Sequence, residues 1–209
     1  MKKSISYKPV VPQVTGWLEY QLDNQQLDYV WRCIKNRKQD VRHALAGNIT
    51  SSRALMDHGN WFFNEVLSPL VEAHRKEYSI FYRKDIPGKN FFKLSTWWVN
   101  YQKQNEFQPV HNHSGLYSFV IFMKIPIDSR EQNKKVKSNN PRVSNFEFLF
   151  TDTLGNISSF PYRLIPEDEG TMLFFPASIE HQVYPFYDCD EERITVSGNI
   201  TYDISRMRN

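Results

Sequence analysis

Beyond Pro87-Gly88 the chain breaks into short runs of aromatic and β-branched residues separated by turn formers, and this succession constrains the fold more than any other feature. Phe91 to Tyr101 reads as a strand, and Tyr117 to Ile125 is a second, closed by Pro126. Phe146-Glu147-Phe148-Leu149-Phe150 alternates and then meets a turn from Asp152 to Asn156, where Gly155 supplies a permissive φ. Ile157 to Leu164 continues that hairpin. Met172 to Phe175 is a short buried strand ended by Pro176, and His181 to Tyr184 and Arg193 to Tyr202 complete the series. Short strands at this spacing predict an antiparallel sandwich or jelly roll. Composition agrees: 15 Phe, 11 Tyr and 5 Trp favour half-buried pleated surfaces.

Upstream, the pattern changes to helical. Leu22, Leu27, Val30, Trp31, Ile34, Val41 and Leu45 form a stripe over residues 21 to 46, which Gly47 is placed to stop. A second stripe, from Trp61 to His74, predicts a helix over about 60 to 78, with Pro69 expected to kink or break it. The first segment, to about Gly16, carries Pro9 and Pro12 and should be extended. The expected architecture is one domain over 1–209. Residues 1–88 form a helical flank and 89–205 a β core, a mainly β, cupin-like jelly roll. Residues 127 to 145 are polar and read as a long exposed loop. With the loop from Tyr184 to Glu192, this stretch is a candidate lid.

Charge and cysteines exclude several classes. A net charge of +3, with bases and acids interspersed, gives no strong nucleic-acid footprint. The basic cluster Arg130, Lys134, Lys135, Lys137 and Arg142 reads as a solvated loop. Cys33 and Cys189 do not make a disulfide framework, which favours a reducing, cytoplasmic setting. Met1-Lys2-Lys3 has no apolar run behind it, so no signal peptide is expected. No stretch approaches the roughly 18 apolar residues of a membrane span.

Of six histidines, three stand where chemistry is plausible. His111 and His113 lie two apart beside a strand-like run, and on an extended segment both point to one side. His181 follows the Phe174-Phe175-Pro176 strand, which an antiparallel roll can bring alongside. Imidazoles suit Fe, Zn, Cu and Ni alike, so the ligand type does not choose the metal. His43, His58 and His74 lack such spacing and read as structural. Arg193 opens the last strand, with Thr195 and Ser197 alternating onto its face. A guanidinium with a nearby hydroxyl is a good carboxylate receptor.

Three segments carry a resemblance: WWVNYQKQNEFQPVHNHSGLYSFVIFMKIP, GTMLFFPASIEHQVYPF and ERITVSGNI. Together, over about residues 91 to 204, they look like the 2-oxoglutarate/Fe(II) oxygenases of marine bacteriophages and some bacteria, relatives of the prolyl hydroxylase-type enzymes. The resemblance implies a double-stranded β-helix, Fe(II), 2-oxoglutarate as co-substrate, and O2. It implies His111 and His181 as metal ligands and Arg193 as the group that holds the far carboxylate of 2-oxoglutarate. Where the wider superfamily has an acid, this chain has His113. That residue is expected to complete a three-histidine face, the alternatives being a water or an acid from elsewhere. Thr195, Tyr101 and Tyr117 are the other expected co-substrate contacts. Trp97, Trp98 and Phe119 are candidates to line the pocket, and Gln108 and Asn112 to supply hydrogen bonds. The implied activity is hydroxylation of an unidentified substrate, a small molecule or a protein residue such as proline. Two rival readings are a three-histidine cupin-type dioxygenase that uses no 2-oxoglutarate and a jelly-roll binding module without turnover.

Overall fold

The structure, a computed structural model, describes residues 16–78 and 91–203. The extended segment expected before Gly16 and the break at Pro87-Gly88 lie outside them. Among the described residues, ten strands form two antiparallel sheets. They are β1 (Leu18–Gln21), β2 (Ser51–Ala54), β3 (Phe92–Gln102), β4 (Gln108–His111), β5 (Tyr117–Lys124), β6 (Phe146–Thr151), β7 (Ile157–Tyr162), β8 (Thr171–Pro176), β9 (Glu180–Val183) and β10 (Arg193–Tyr202). The major sheet runs β1-β8-β5-β10-β3-β2 and the minor sheet β4-β9-β6-β7. This is the expected double-stranded β-helix.

Both faces of the major sheet are covered. On the outer face lie α1 (Asn24–Lys35) and α2 (Ser68–Glu77). Together with residues 63–67 just ahead of α2, they bury Val30, Ile34, Val66, Leu67 and Val71 against Trp97, Val99, Phe119, Ile121, Phe174 and Val196. The inner face meets the minor sheet through Val120, Phe122, Phe146, Phe148, Leu173 and Phe175. Burying each such side chain contributes roughly 1.5–3 kcal/mol, so strand alternation feeds two cores at once.

The helical flank differs from the sequence expectation in three ways. First, α1 is shorter than the 21–46 stripe. It starts at a capping box between Asp23 and Gln26, with bonds of 2.8 and 3.1 Å, and ends at Asn36. The chain then turns back to lay residues 38–41 along β2, for example Lys38 N–H to Ala54 C=O at 2.8 Å. Sheet hydrogen bonds there outweigh the amphipathic pattern. Second, β1 and β2 come from this flank and form the two edges of the major sheet. Third, Pro69 breaks nothing. A π-helical turn at Phe63–Leu67 leads directly into α2, and Pro69 sits in its first turn, where a missing N–H is harmless.

The stretch from 127 to 145 is not a long exposed loop. Ser129–Lys134 forms a short helix, α3, capped by Asp128, and Ser129, Gln132, Val143, Ser144 and Asn145 are buried. Four of its five basic residues are paired: Arg130 with Asp128, Lys134 with Glu131, Lys135 with Asp188 and Arg142 with Glu147. Gln132 clamps the backbone of Tyr187 from both sides, at 2.5 and 3.0 Å. The polar composition hid these buried amide and hydroxyl contacts. No helix among the described residues is long and apolar enough to cross a membrane.

Candidate active site

The three histidines singled out in the sequence come together at one end of the sandwich. β4 pairs with β9 so that His111 lies opposite His181. His113 stands two residues past the end of β4, so strand alternation is not what aims it. A turn does. His113 N–H donates to Ala177 C=O at 2.9 Å, and Leu116 N–H to Ile200 C=O at 2.9 Å. Gly115, between them, has φ +108°, and a Cβ there would lie 2.8 Å from the Ile200 carbonyl oxygen. Only glycine lets the chain pass this close.

One ring nitrogen from each of His111, His113 and His181 lies within 4.8 Å of the other two. Nδ1 of His111 donates to Pro109 C=O at 2.7 Å and Nδ1 of His181 to Ile179 C=O at 3.0 Å. A carbonyl can only accept, so Nδ1 carries the proton and each Nε2 presents a lone pair. Nε2 of His113 and Nε2 of His181 are 3.1 Å apart. Two nitrogens bound to one metal at about 2.1 Å and at right angles would lie about 3 Å apart. Burial pushes His113 down to about 4, with His111 adding to the effect. Burial also lowers His111 and holds His181 well below the usual histidine range. The trio is therefore neutral near pH 7, the form that binds metals. Phe146, Phe148 and Phe175 wall in His181, with ring centroids 5.4, 6.2 and 5.1 Å away. Among the described residues no carboxylate joins this group. Glu180 instead accepts from Asn112 Nδ2 at 2.7 Å.

Arg193, at the start of β10, is 1% exposed and pairs with no carboxylate among the described residues. One nitrogen, Nη2, donates to the Ser144 carbonyl at 2.9 Å and to its hydroxyl; Nη1 reaches Gln102 Oε1 at 3.3 Å. Phe186 lies under the guanidinium, 5.3 Å from ring to carbon. Nε–H has no acceptor. Burial pulls the group down to about 9. A buried cation without an anion is costly, and a ligand carboxylate would relieve that cost.

A narrow enclosed cavity between the sheets connects the two features. Arg193, Thr195, Ser197 and Gln102 line it together with His113 and His181, among Val120, Phe122, Phe146 and Phe175. A larger cleft of about 670 Å³ opens outside, against His111 and His113, over β2, β3 and residues 41–57. Trp98, Gln108 and His113 border both spaces. Asn112 lines the outer one.

Two of the expected co-substrate contacts are elsewhere. Tyr117 is buried on the helix side of β5, stacked on Phe174 at 5.0 Å. Tyr101 packs against the same outer core, beneath Arg37 at 5.7 Å. Both occupy outward positions of their strands, opposite in phase to Gln102 and Ser118. Trp97 and Phe119 pack against Phe62 in that outer core, at 5.3 and 6.1 Å, yet Trp97 also borders the outer cleft and Phe119 the inner cavity, as expected of pocket-lining residues. Neither candidate lid contributes a residue to either cavity. The 184–192 loop is tied behind Arg193 by bonds such as Ser144 N–H to Pro185 C=O. His43 and His58 lie apart from the cluster, and His74 is a core residue whose Nε2 meets Gly16 C=O at 2.8 Å. The sequence reading passed over Gln102 and Ser144. Gln102 had a signal: Trp98, Asn100 and Gln102 mark a polar face at period two on β3. Ser144 had none.

Comparisons agree with this arrangement. Residues 96–199 match the family described as "Putative 2OG-Fe(II) oxygenase". A search of curated protein sequences finds no match. Among solved structures, the chain is similar to a viral collagen prolyl hydroxylase from Paramecium Bursaria Chlorella virus-1 in complex with 2OG. The TM-score is 0.51 at 12% identity, covering 88% of this chain and 94% of that one. It is similar to a 2OG-Fe(II) oxygenase family oxidoreductase from Burkholderia pseudomallei, with TM-score 0.50, 12% identity and 86% and 80% covered. It is also similar to the epimerase SnoN in complex with Fe3+, alpha ketoglutarate and nogalamycin RO. There the TM-score is 0.51 at 13% identity, with 90% and 79% covered. These similarities show the shared fold, and the family match covers the segments that carry the histidines and Arg193. The chain belongs to the 2OG-Fe(II) oxygenases and is an iron- and 2-oxoglutarate-dependent dioxygenase.

Proposed function

We propose that the chain is a hydroxylase in which His111, His113 and His181 hold Fe(II) and Arg193 with Thr195 holds the far carboxylate of 2-oxoglutarate. The observation that carries the assignment is a buried, unpaired Arg193 sharing one enclosed cavity with neutral His113 and His181. The donor set fits the group: three imidazole lone pairs at one end and an unmet cation at the other. Iron, when bound, couples O2-dependent decarboxylation of 2-oxoglutarate to succinate and CO2 with insertion of one oxygen atom into a substrate C–H bond.

The chain's own residues bind, orient and exclude water. Arg193 pairs with the carboxylate, the Thr195 hydroxyl adds a donor, and Val120, Phe122, Phe146 and Phe175 keep the cavity dry. The substrate enters by the outer cleft. Its two charged wall residues are already engaged: Arg42 by Asp40 at 2.9 Å, and Asp57 by the amides of Phe62 and Phe63 at 3.0 and 2.9 Å. The reacting part of the substrate is therefore uncharged, as a prolyl or other neutral protein side chain is. The motif resemblance supports a bacteriophage origin, and the free Cys33 and Cys189 suit a cytoplasmic setting. The test is iron-dependent conversion of 2-oxoglutarate to succinate by the purified protein. Stimulation by a neutral peptide, with one oxygen gained, is the expected result. Failure of the metal-loaded protein to bind 2-oxoglutarate overturns the reading.

A further inference from the structure

We infer that Asn112 and Glu180 form a positioning clasp that holds the turn bearing His113, so that His113 meets the metal as a third ligand. This rests on the assignment of the three histidines to Fe(II). His111 and His181 are each fixed twice. They face one another in the β4–β9 ladder, and their Nδ1 atoms donate to Pro109 C=O and Ile179 C=O at 2.7 and 3.0 Å. His113 has neither support. It lies beyond the end of β4, and no carbonyl ties its ring among the described residues.

The ladder breaks where His113 begins. An antiparallel pairing that sets His111 opposite His181 would next set residue 112 opposite 180 and residue 113 opposite 179. Instead His113 N–H donates to Ala177 C=O at 2.9 Å, and the two strands part. Asn112 Nδ2 donates to Glu180 Oε1 at 2.7 Å across that parting. Asn112 stands between His111 and His113, and Glu180 directly precedes His181. A single side-chain bond therefore links the segments that carry all three ligands. Gly115, two residues past His113, leaves the backbone permissive, so the turn owes its course to ties of this kind. The 3.1 Å between Nε2 of His113 and Nε2 of His181 depends on that course.

The test uses the full-length protein titrated with Mn(II), with affinity read from the EPR signal of the free ion. Asn112→Ala and Glu180→Ala each remove the bond. Each is expected to weaken Mn(II) binding about tenfold, the low end for a group that orients a ligand without touching the metal. The pair lies at the surface, so neither change disturbs the core. The charge of Glu180 also reaches His111. Glu180→Gln separates charge from bond: its amide oxygen still accepts from Asn112, so affinity should recover to near wild type. Adding Asn112→Ala to His113→Ala should cost nothing further, because the clasp acts through His113. Wild-type affinity in Asn112→Ala, no recovery in Glu180→Gln, or an additive loss in the double variant overturns the inference. His113→Ala alone separates the two levels. If it binds Mn(II) as wild type does, the three-histidine assignment itself fails. If it weakens binding while Asn112→Ala does not, only the clasp fails.

Discussion

The two faces of the major sheet are built from the same strands and do different work. On β3, Trp97 and Val99 turn outward to the helices while Trp98, Asn100 and Gln102 turn inward. On β10, Ile194, Val196 and Ile200 turn outward, and Arg193, Thr195, Ser197 and Asn199 turn inward. Both faces are buried, yet on β3 and β10 the outward set is apolar and the inward set largely hydrogen-bonding, while β5 and β8 add apolar side chains to both faces. Period-two alternation lets a single strand hold the fold with one set of side chains and carry the chemistry with the other. A bulge near Ile194 and another near Asn199 adjust β10 against its neighbours. The outer face should therefore fail through stability, and the inner face through ligand binding.

The largest expected effect is on the inner face. His181→Ala removes a walled-in ligand. Outer-shell partners alone are worth about 10–100-fold in metal affinity, so losing this direct ligand should cost more than about 100-fold. Metal content after dialysis measures it, and retained stoichiometric iron would break the comparison. Next comes Phe119→Ala on the outer face. It empties a site at which a Cβ on Gly198 would already lie 2.7 Å from the Phe119 ring, so the packing is tight. A loss of about 3–5 kcal/mol in urea unfolding is expected, with metal affinity of the folded protein unchanged. Thr195→Val is smaller: a loss of about three- to tenfold in 2-oxoglutarate affinity, with stability preserved, since one hydroxyl donor is lost.

The smallest effect sharpens the outer face through pH. His74 is fully buried among Tyr78, Tyr117 and Phe174, and burial lowers its pKa despite the Gly16 carbonyl. The unfolded chain takes up this proton below about pH 6.5 and the folded chain resists it, so stability is lost as the pH falls through that value. In His74→Phe the slope of stability against pH should shrink by up to about 1.4 kcal/mol per unit just below pH 6.5. An unchanged slope would mean that His74 is not held neutral.

Much of this was legible in the sequence, for a physical reason. β3, β5 and β8 announce themselves because their buried positions are rich in aromatic and other large apolar residues. Spacing marked His111, His113 and His181 as a generic metal site, and the motif resemblance assigned their roles and that of Arg193; strand phase does not account for His113, which a turn aims. The phase of Tyr101 and Tyr117 was also available: each alternates out of step with an inward polar residue, Gln102 and Ser118. What stayed hidden depends on long-range backbone pairing or buried polar contacts. β1, β2 and β4 are four residues each, too short for periodicity to mark. The 127–145 stretch looked solvated because its Ser, Gln and Asn side chains are satisfied only by partners distant in sequence, such as the Tyr187 backbone and Arg193.

The central claim is that the inner face holds iron by three neutral histidines and 2-oxoglutarate by Arg193. The most direct measurement is a crystal structure of the Mn(II) protein grown with 2-oxoglutarate. The account predicts metal bonds from Nε2 of His111, His113 and His181 and the far carboxylate on Arg193 and Thr195. A metal without His113, or a carboxylate bound away from Arg193, would contradict it.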